Sequence, residues 1–215
     1  SAGILVVEQD ITAAISERER NERLLRQLAD TLLAIVDRRD PYAAHQSARV
    51  AQVASAIAEE MGLDPVLVDT VDKAASLMNI GKILVPRALL MKNGRLTDDE
   101  IDRIRYALSA GVDLLEGVEF EGPVVETLRQ TQAYVDGSGE PVGIAGDDIL
   151  VTARIVAVSN AFVGMVSPRA HRPGMTFDAA IQNLLDGAGT QFDLGVVGAL
   201  INRLDNRGGR SNWTN

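Results

Sequence analysis

Apolar side chains return every three or four residues along most of this chain, the spacing that lines one face of an α-helix. Ala43 to Met61 carries Val50, Val53, Ala54, Ile57 and Met61 on one face and stops at Gly62. Pro65 to Met78 repeats the pattern with Leu67, Val68, Val71, Ala75 and Leu77. Thr97, followed three residues later by Glu100, forms a capping box that opens a helix to about Leu115. Further helices are expected over Pro123 to Val135, Leu150 to Val166, Thr176 to Leu185 and Asp193 to Leu204. Between them, Pro86 to Gly94 reads as a connector and Asp136 to Asp148 as a Gly-rich loop. Asn206 to Asn215 has the polar, Gly-rich composition of a flexible tail. At the other end, Ile4-Leu5-Val6-Val7 is a β-favouring run within Gly3 to Thr12, read as a short strand. A charged helix, Glu17 to Asp37, follows, with Leu24, Leu25, Leu28, Leu32, Ile35 and Val36 as its stripe. That stripe suits pairing with a second copy in its charged first half and core packing in the rest. The expected class is all-α: a helical bundle behind an extended helix and a short strand, without internal repeats.

Composition narrows the chemistry. The 215 residues are enough for one domain with a sizeable core plus an appendage. No apolar run reaches the roughly 18 residues needed to span a bilayer, and no secretory leader is visible, so this segment is expected to be cytoplasmic. There are no cysteines, which excludes disulfides, thiolate-bound zinc and cysteine nucleophiles. A net charge of −9 argues against a nucleic-acid surface but leaves room for a small anion in a locally basic pocket. The two histidines, His45 and His171, are far apart in sequence. They cannot build a Ser-His-Asp or Cys-His arrangement, and any multi-histidine metal site would need both of them plus carboxylates.

Five motifs stand in order along the chain: Asp40-Pro41-Tyr42 with Ser47-Ala48-Arg49-Val50; Leu77-Met78-Asn79-Ile80-Gly81-Lys82; Pro86, Leu89-Leu90 and Lys92-Asn93-Gly94-Arg95-Leu96-Thr97; Asp136-Gly137-Ser138-Gly139-Glu140-Pro141; and Gly189-Thr190-Gln191-Phe192-Asp193. Together they resemble the HD-GYP subgroup of the HD phosphohydrolases, over roughly Leu28 to Leu204. The resemblance implies a helical bundle that holds two or three metals and hydrolyses cyclic di-GMP. It also places the family's metal ligands on Gln46, Met78, Asn79, Ala107, Thr131, Gln132 and Asn160, none of which keeps the family's histidine or aspartate. Gln9-Asp10-Ile11-Thr12 resembles the end of a PAS sensor domain, with a flexible leader or cloning remainder as the alternative.

A thioether and an amide at Met78 and Asn79 cannot replace an imidazole and a carboxylate on a hard dication. The change of carboxylate to amide at Asn79 and Asn160 removes negative charge as the cations leave, which avoids a self-repelling cluster. Lys82 corresponds to the family's phosphate-approaching lysine. With Arg172 and Arg169 it could form a small anion site; alternatively it caps a helix end or pairs with a carboxylate. His45 is one residue from the ligand position, about 100° around a helix, and reads as a surface or capping residue. His171 takes the place of a family aromatic and reads as a loop residue. Gly137-Ser138-Gly139 lacks the following lysine and the βα context of a phosphate loop, and Glu140 stands where the family has tyrosine.

The expected organisation is therefore residues 1–16 as the end of an upstream sensor or a leader, 17–38 as a signalling helix, 39–205 as a degenerate HD-GYP domain and 206–215 as a tail. The expected function is a catalytically inactive regulatory domain, not an enzyme and without a metal or cofactor. It would act through a homodimer formed by the N-terminal helix and through a protein partner such as a diguanylate cyclase. Two further readings stay open: a non-hydrolysing receptor for cyclic di-GMP or another nucleotide, and a metal-dependent phosphodiesterase using His45 with Asp37 or Asp40.

Overall fold

Helix α1 (Gln46–Glu60) is central to the bundle: Val50, Ala54, Ile57 and Ala58 have no solvent-exposed surface, at the three- and four-residue spacing the sequence shows. In the computed structural model it packs against α2 (Pro65–Leu77), α6 (Val151–Val166) and α8 (Leu194–Asn206). The structure describes residues 46–92, 94, 97–168, 173–208, 210 and 213, with positions 20, 27, 31, 34 and 35 ahead of them. The remaining helices are α3 (Arg87–Leu90), α4 (Asp98–Asp113), α5 (Val124–Arg129) and α7 (Phe177–Asp186). Among the described residues no strand forms, only an isolated bridge between Ala188 and Phe192, so the all-α class is observed. No helix among them is long and apolar enough to cross a membrane.

Local chemistry sets the helix starts. Asp64 accepts the Leu67 amide at 3.0 Å, with Pro65 in the first turn of α2, where its missing N–H costs nothing. The capping box of α4 is present in both directions: Thr97 Oγ1 accepts the Glu100 amide, and Glu100 accepts the Thr97 amide at 2.8 Å. Helix α6 is buried almost all round, through Ile155, Val156, Val158, Phe162 and Val163. The buried hydroxyl of Ser159 returns to the Ile155 carbonyl at 2.8 Å.

Three elements differ from expectation. The helix expected from Pro123 to Val135 ends at Arg129. Gln130 turns it: its side-chain carbonyl accepts the Leu150 amide at 2.8 Å and its Nε2 donates to Glu126 at 2.6 Å. The connector after α2 begins with a 3₁₀ turn, Ile80–Leu84, and then contains α3. Finally, Asn206 to Asn215, expected as a flexible tail, holds two docked side chains. Trp213 is only 7 % exposed, its ring 6.3 Å from that of Phe162, and Arg210 donates to Asp178 and Asp205 at 2.8 and 2.9 Å.

The strand expected within Gly3 to Thr12 lies outside the described residues, as do His45, Arg169, His171 and Arg172. Positions 20, 27, 31, 34 and 35 are helical, and the Thr31 hydroxyl donates to the Gln27 carbonyl at 2.7 Å, in keeping with the expected N-terminal helix.

Candidate functional site

A cleft of 430 Å³ opens between the end of α2, α4, α5 and α6. Five of the seven positions singled out from the sequence line it: Met78, Asn79, Thr131, Gln132 and Asn160. The other two, Gln46 and Ala107, are buried and do not line it.

Two glycines bring this wall together. A Cβ on Gly81 would lie 2.4 Å from the Ala107 carbonyl oxygen and 2.5 Å from Leu108 Cα, and one on Gly111 would lie 2.2 Å from Gly81 Cα. Only a bare backbone on both sides lets the 3₁₀ turn cross α4 this closely. That crossing seats Met78 and Asn79 beside α4. Asn79 is 7 % exposed and donates through Nδ2 to Ser47 Oγ at 3.0 Å, which ties the end of α2 to the start of α1.

The loop 136–146 forms the rim. Asp136 Oδ1 accepts the Ser138 amide at 2.9 Å and its hydroxyl at 2.6 Å, and the hydroxyl first, then the amide, hold the Asp136 carboxyl below its ordinary range. A Cβ on Gly139 would meet the Tyr134 nitrogen at 2.4 Å and the Gln132 oxygen at 2.5 Å. The loop therefore closes down on Gln132, whose carbonyl accepts the Glu140 amide at 3.0 Å, and brings Glu140 and Pro141 to the cleft. The glycines here shape a turn.

The remaining walls hold residues that the sequence motifs did not single out. Arg105, Leu108, Ser109 and Val112 line the cleft from α4, and their i, i+3, i+4, i+7 spacing is the signal that would have found them. Arg129 and Glu126 enter from α5. Arg129 is tied to Asp113 at 3.1 Å and to Glu116, whereas Arg105 stands 3.6 Å from Asp102 and 3.9 Å from Glu140. Lys82 is partly buried in the 3₁₀ turn, its amide on the Asn79 carbonyl at 2.9 Å, and it does not line the cleft.

The donor set does not fit a divalent metal. The five positions that converge offer a thioether, a hydroxyl and three carboxamides, all neutral. A dication held against its hydration needs carboxylates or imidazoles in number. Among the described residues no group of three or more His, Cys, Asp or Glu side chains could hold a metal.

Asp193, the last residue of the fifth motif, is structural. It caps α8 by accepting the Val196 amide at 2.9 Å and takes Arg154 of α6 at 2.6 Å. Burial pushes its carboxyl up, but the Val196 amide and Arg154 together outweigh it and hold the group below its ordinary value.

The model of the HD domain matches residues 30–196, and the chain belongs to this family. It is 34 % identical over 200 residues, 92 % of its length, to the cyclic di-GMP phosphodiesterase response regulator RpfG of Xanthomonas campestris pv. campestris. It is 29 % identical over 185 residues, 84 % of its length, to a cyclic di-GMP phosphodiesterase of Thermotoga maritima. The chain spans about half the length of these relatives, 52 % and 50 %. In fold it is similar to a cyclic GMP-AMP specific phosphodiesterase of Vibrio cholerae, with a TM-score of 0.66 at 14 % identity over 87 % of this chain and 50 % of that one.

These relatives correct one expectation. The sequence reading made this chain a catalytically inactive regulatory domain and not an enzyme, with a non-hydrolysing receptor as its alternative. The relatives carry phosphodiesterase names, and none of these findings sets this chain apart from them as a non-enzyme. The physical reason for the overreach is simple. A missing donor set says how a phosphodiester is not activated; it does not fix what class of protein carries the cleft.

Proposed function

We propose that this chain is a cyclic-dinucleotide domain of the HD-GYP type, and that its cleft is where cyclic di-GMP or a close analogue binds. One observation carries the reading: the motif positions around Met78-Asn79, Thr131-Gln132 and Asn160, distant in sequence, line a single cleft, in a chain 34 % identical to a cyclic di-GMP phosphodiesterase. The cleft's 430 Å³ lies within the roughly 300–1,000 Å³ usual for small-molecule sites. The reaction class carried by the relatives' names is phosphodiester hydrolysis. In this cleft the groups able to meet a phosphodiester are carboxamides, the Ser109 hydroxyl and the Arg105 guanidinium, and no step through a metal follows from them. We assign the helix from Glu17 to Asp37 to the same proposal, as the element that pairs two copies and carries a signal into α1; its apolar stripe supports this.

The test is calorimetric titration of the full chain with cyclic di-GMP, with chromatographic analysis of the nucleotide afterwards. Saturable binding that is lost in Asn160→Leu is expected. Linear dinucleotide or mononucleotide in the recovered ligand would measure turnover. No heat up to millimolar ligand would sink the reading.

A further inference from the structure

A cyclic dinucleotide carries two phosphodiester charges, which a metal centre would neutralise with its dications. This cleft is built with other means. Asn79, Gln132 and Asn160 each carry a carboxamide, which offers two donors and an acceptor, and Ser109 adds a hydroxyl, while Thr131 gives its own proton to the Leu128 carbonyl at 2.8 Å. Asn79 uses one amide proton on Ser47 and is fixed by it.

The positive charge comes from arginine. Arg129 gives one Nη to Asp113 at 3.1 Å and to Glu116, so two carboxylates at hydrogen-bond distance already balance its charge. Arg105 differs. Its nearest carboxylates, Asp102 and Glu140, stand at 3.6 and 3.9 Å, beyond hydrogen-bond distance. A guanidinium presents five N–H donors in a planar fork that matches phosphate oxygens. Arg105 thus lines the cleft with its charge only loosely balanced by Glu140, itself a cleft residue.

We infer that the cleft holds its cyclic dinucleotide without a divalent cation, with Arg105 supplying the charge for the phosphodiester and the carboxamides of Asn160 and Gln132 supplying neutral hydrogen bonds. The inference rests on the reading of the cleft as a cyclic-dinucleotide site and adds how that ligand is anchored. Binding then exchanges the Arg105–Glu140 pair for an Arg105–phosphate pair. Added salt should weaken it, as screening weakens exposed ion pairs.

The experiment is titration of the full chain with cyclic di-GMP in EDTA and again in manganese, beside titration of manganese alone. Equal Kd in the two buffers and no saturable heat from manganese alone are expected. Arg105→Ala should weaken binding about tenfold or more, the range for one charge-assisted phosphate contact, and Arg105→Lys should fall between. Binding that requires manganese, or saturable manganese binding by the protein alone, overturns the inference and leaves the cyclic-dinucleotide reading standing. Metal-independent binding untouched by Arg105→Ala overturns the role given to Arg105. Absence of binding in both buffers overturns the cyclic-dinucleotide reading, and the inference goes with it.

Discussion

Gly81 and Gly111 meet backbone to backbone: a Cβ on Gly111 would stand 2.2 Å from Gly81 Cα and 2.4 Å from its nitrogen. The contact sets the height of the 3₁₀ turn above α4, and with it the seat of Met78 and Asn79. Gly111→Ala has no rotatable atoms to withdraw, so the turn itself must move. We expect a loss of about 1–3 kcal/mol in urea unfolding, the usual cost of overpacking. Cyclic di-GMP affinity should fall as well, because the cleft wall shifts. An unchanged unfolding midpoint would show that the two backbones separate at no cost.

Thr127 and Thr152 share a buried hydrogen bond, Oγ1 to Oγ1 at 2.6 Å, between α5 and α6. Thr127→Val leaves the Thr152 hydroxyl buried without its partner and should cost about 1–3 kcal/mol. Replacing both by valine removes donor and acceptor together, and most of that loss should return. A double-mutant cycle by chemical denaturation measures this. Simple additivity of the two single losses would contradict it.

The carboxyl of Asp193 sits below its ordinary value of 3.8 in the folded chain. Its contribution to stability is therefore present above the unfolded value and is lost as pH falls through the folded one. Asp193→Ala removes both the cap of α8 and the partner of Arg154, and should cost about 1–2 kcal/mol near neutral pH. Asp193→Asn keeps a capping oxygen and should cost less. Both deficits should shrink below roughly pH 4, where the aspartate of the unfolded parent takes up its proton before the folded one does. Thermal unfolding of the three proteins from acid to neutral pH checks the sign.

Much of this fold was legible because its signals are local. The capping box at Thr97 and Glu100, the glycine stop at Gly62 and the periodic faces of α1 and α2 each lie within a few residues of the feature they specify. The cleft was legible at Met78, Asn79, Thr131, Gln132 and Asn160 because motif order carried it. What stayed hidden depends on distant partners. Helix α5 ends at Arg129 because the Gln130 side chain caps the Leu150 amide, twenty residues on. Trp213 docks on Phe162, fifty-one residues before it, and neither local composition nor periodicity shows that pairing. Arg105 carries no motif of its own; the motif position two residues on, Ala107, is buried against the turn and outside the cleft lining.

Two substitutions would return negative charge to the cleft. Asn79→Asp with Asn160→Asp would set two carboxylates beside Glu126 and Glu140, in a cleft shown to lack a multi-carboxylate metal site among its described residues. Asn79 is nearly buried, and an aspartate there would lose the amide proton that Asn79 gives to Ser47. Burial and like charge both disfavour ionisation, so the folded chain should raise these carboxyls above the ordinary aspartate value of about 3.9. A raised folded pKa means the penalty is absent while the group is protonated in both states, grows as pH rises past the unfolded value, and levels off above the folded one. The double variant should therefore match the parent in stability near pH 3 and fall behind it by roughly 1–3 kcal/mol near neutrality. Manganese should recover part of that loss in the variant, because a dication now finds carboxylate oxygens, and should do nothing for the parent. Equal manganese responses in the two proteins would mean that the parental carboxamides were never what kept a dication out of this cleft.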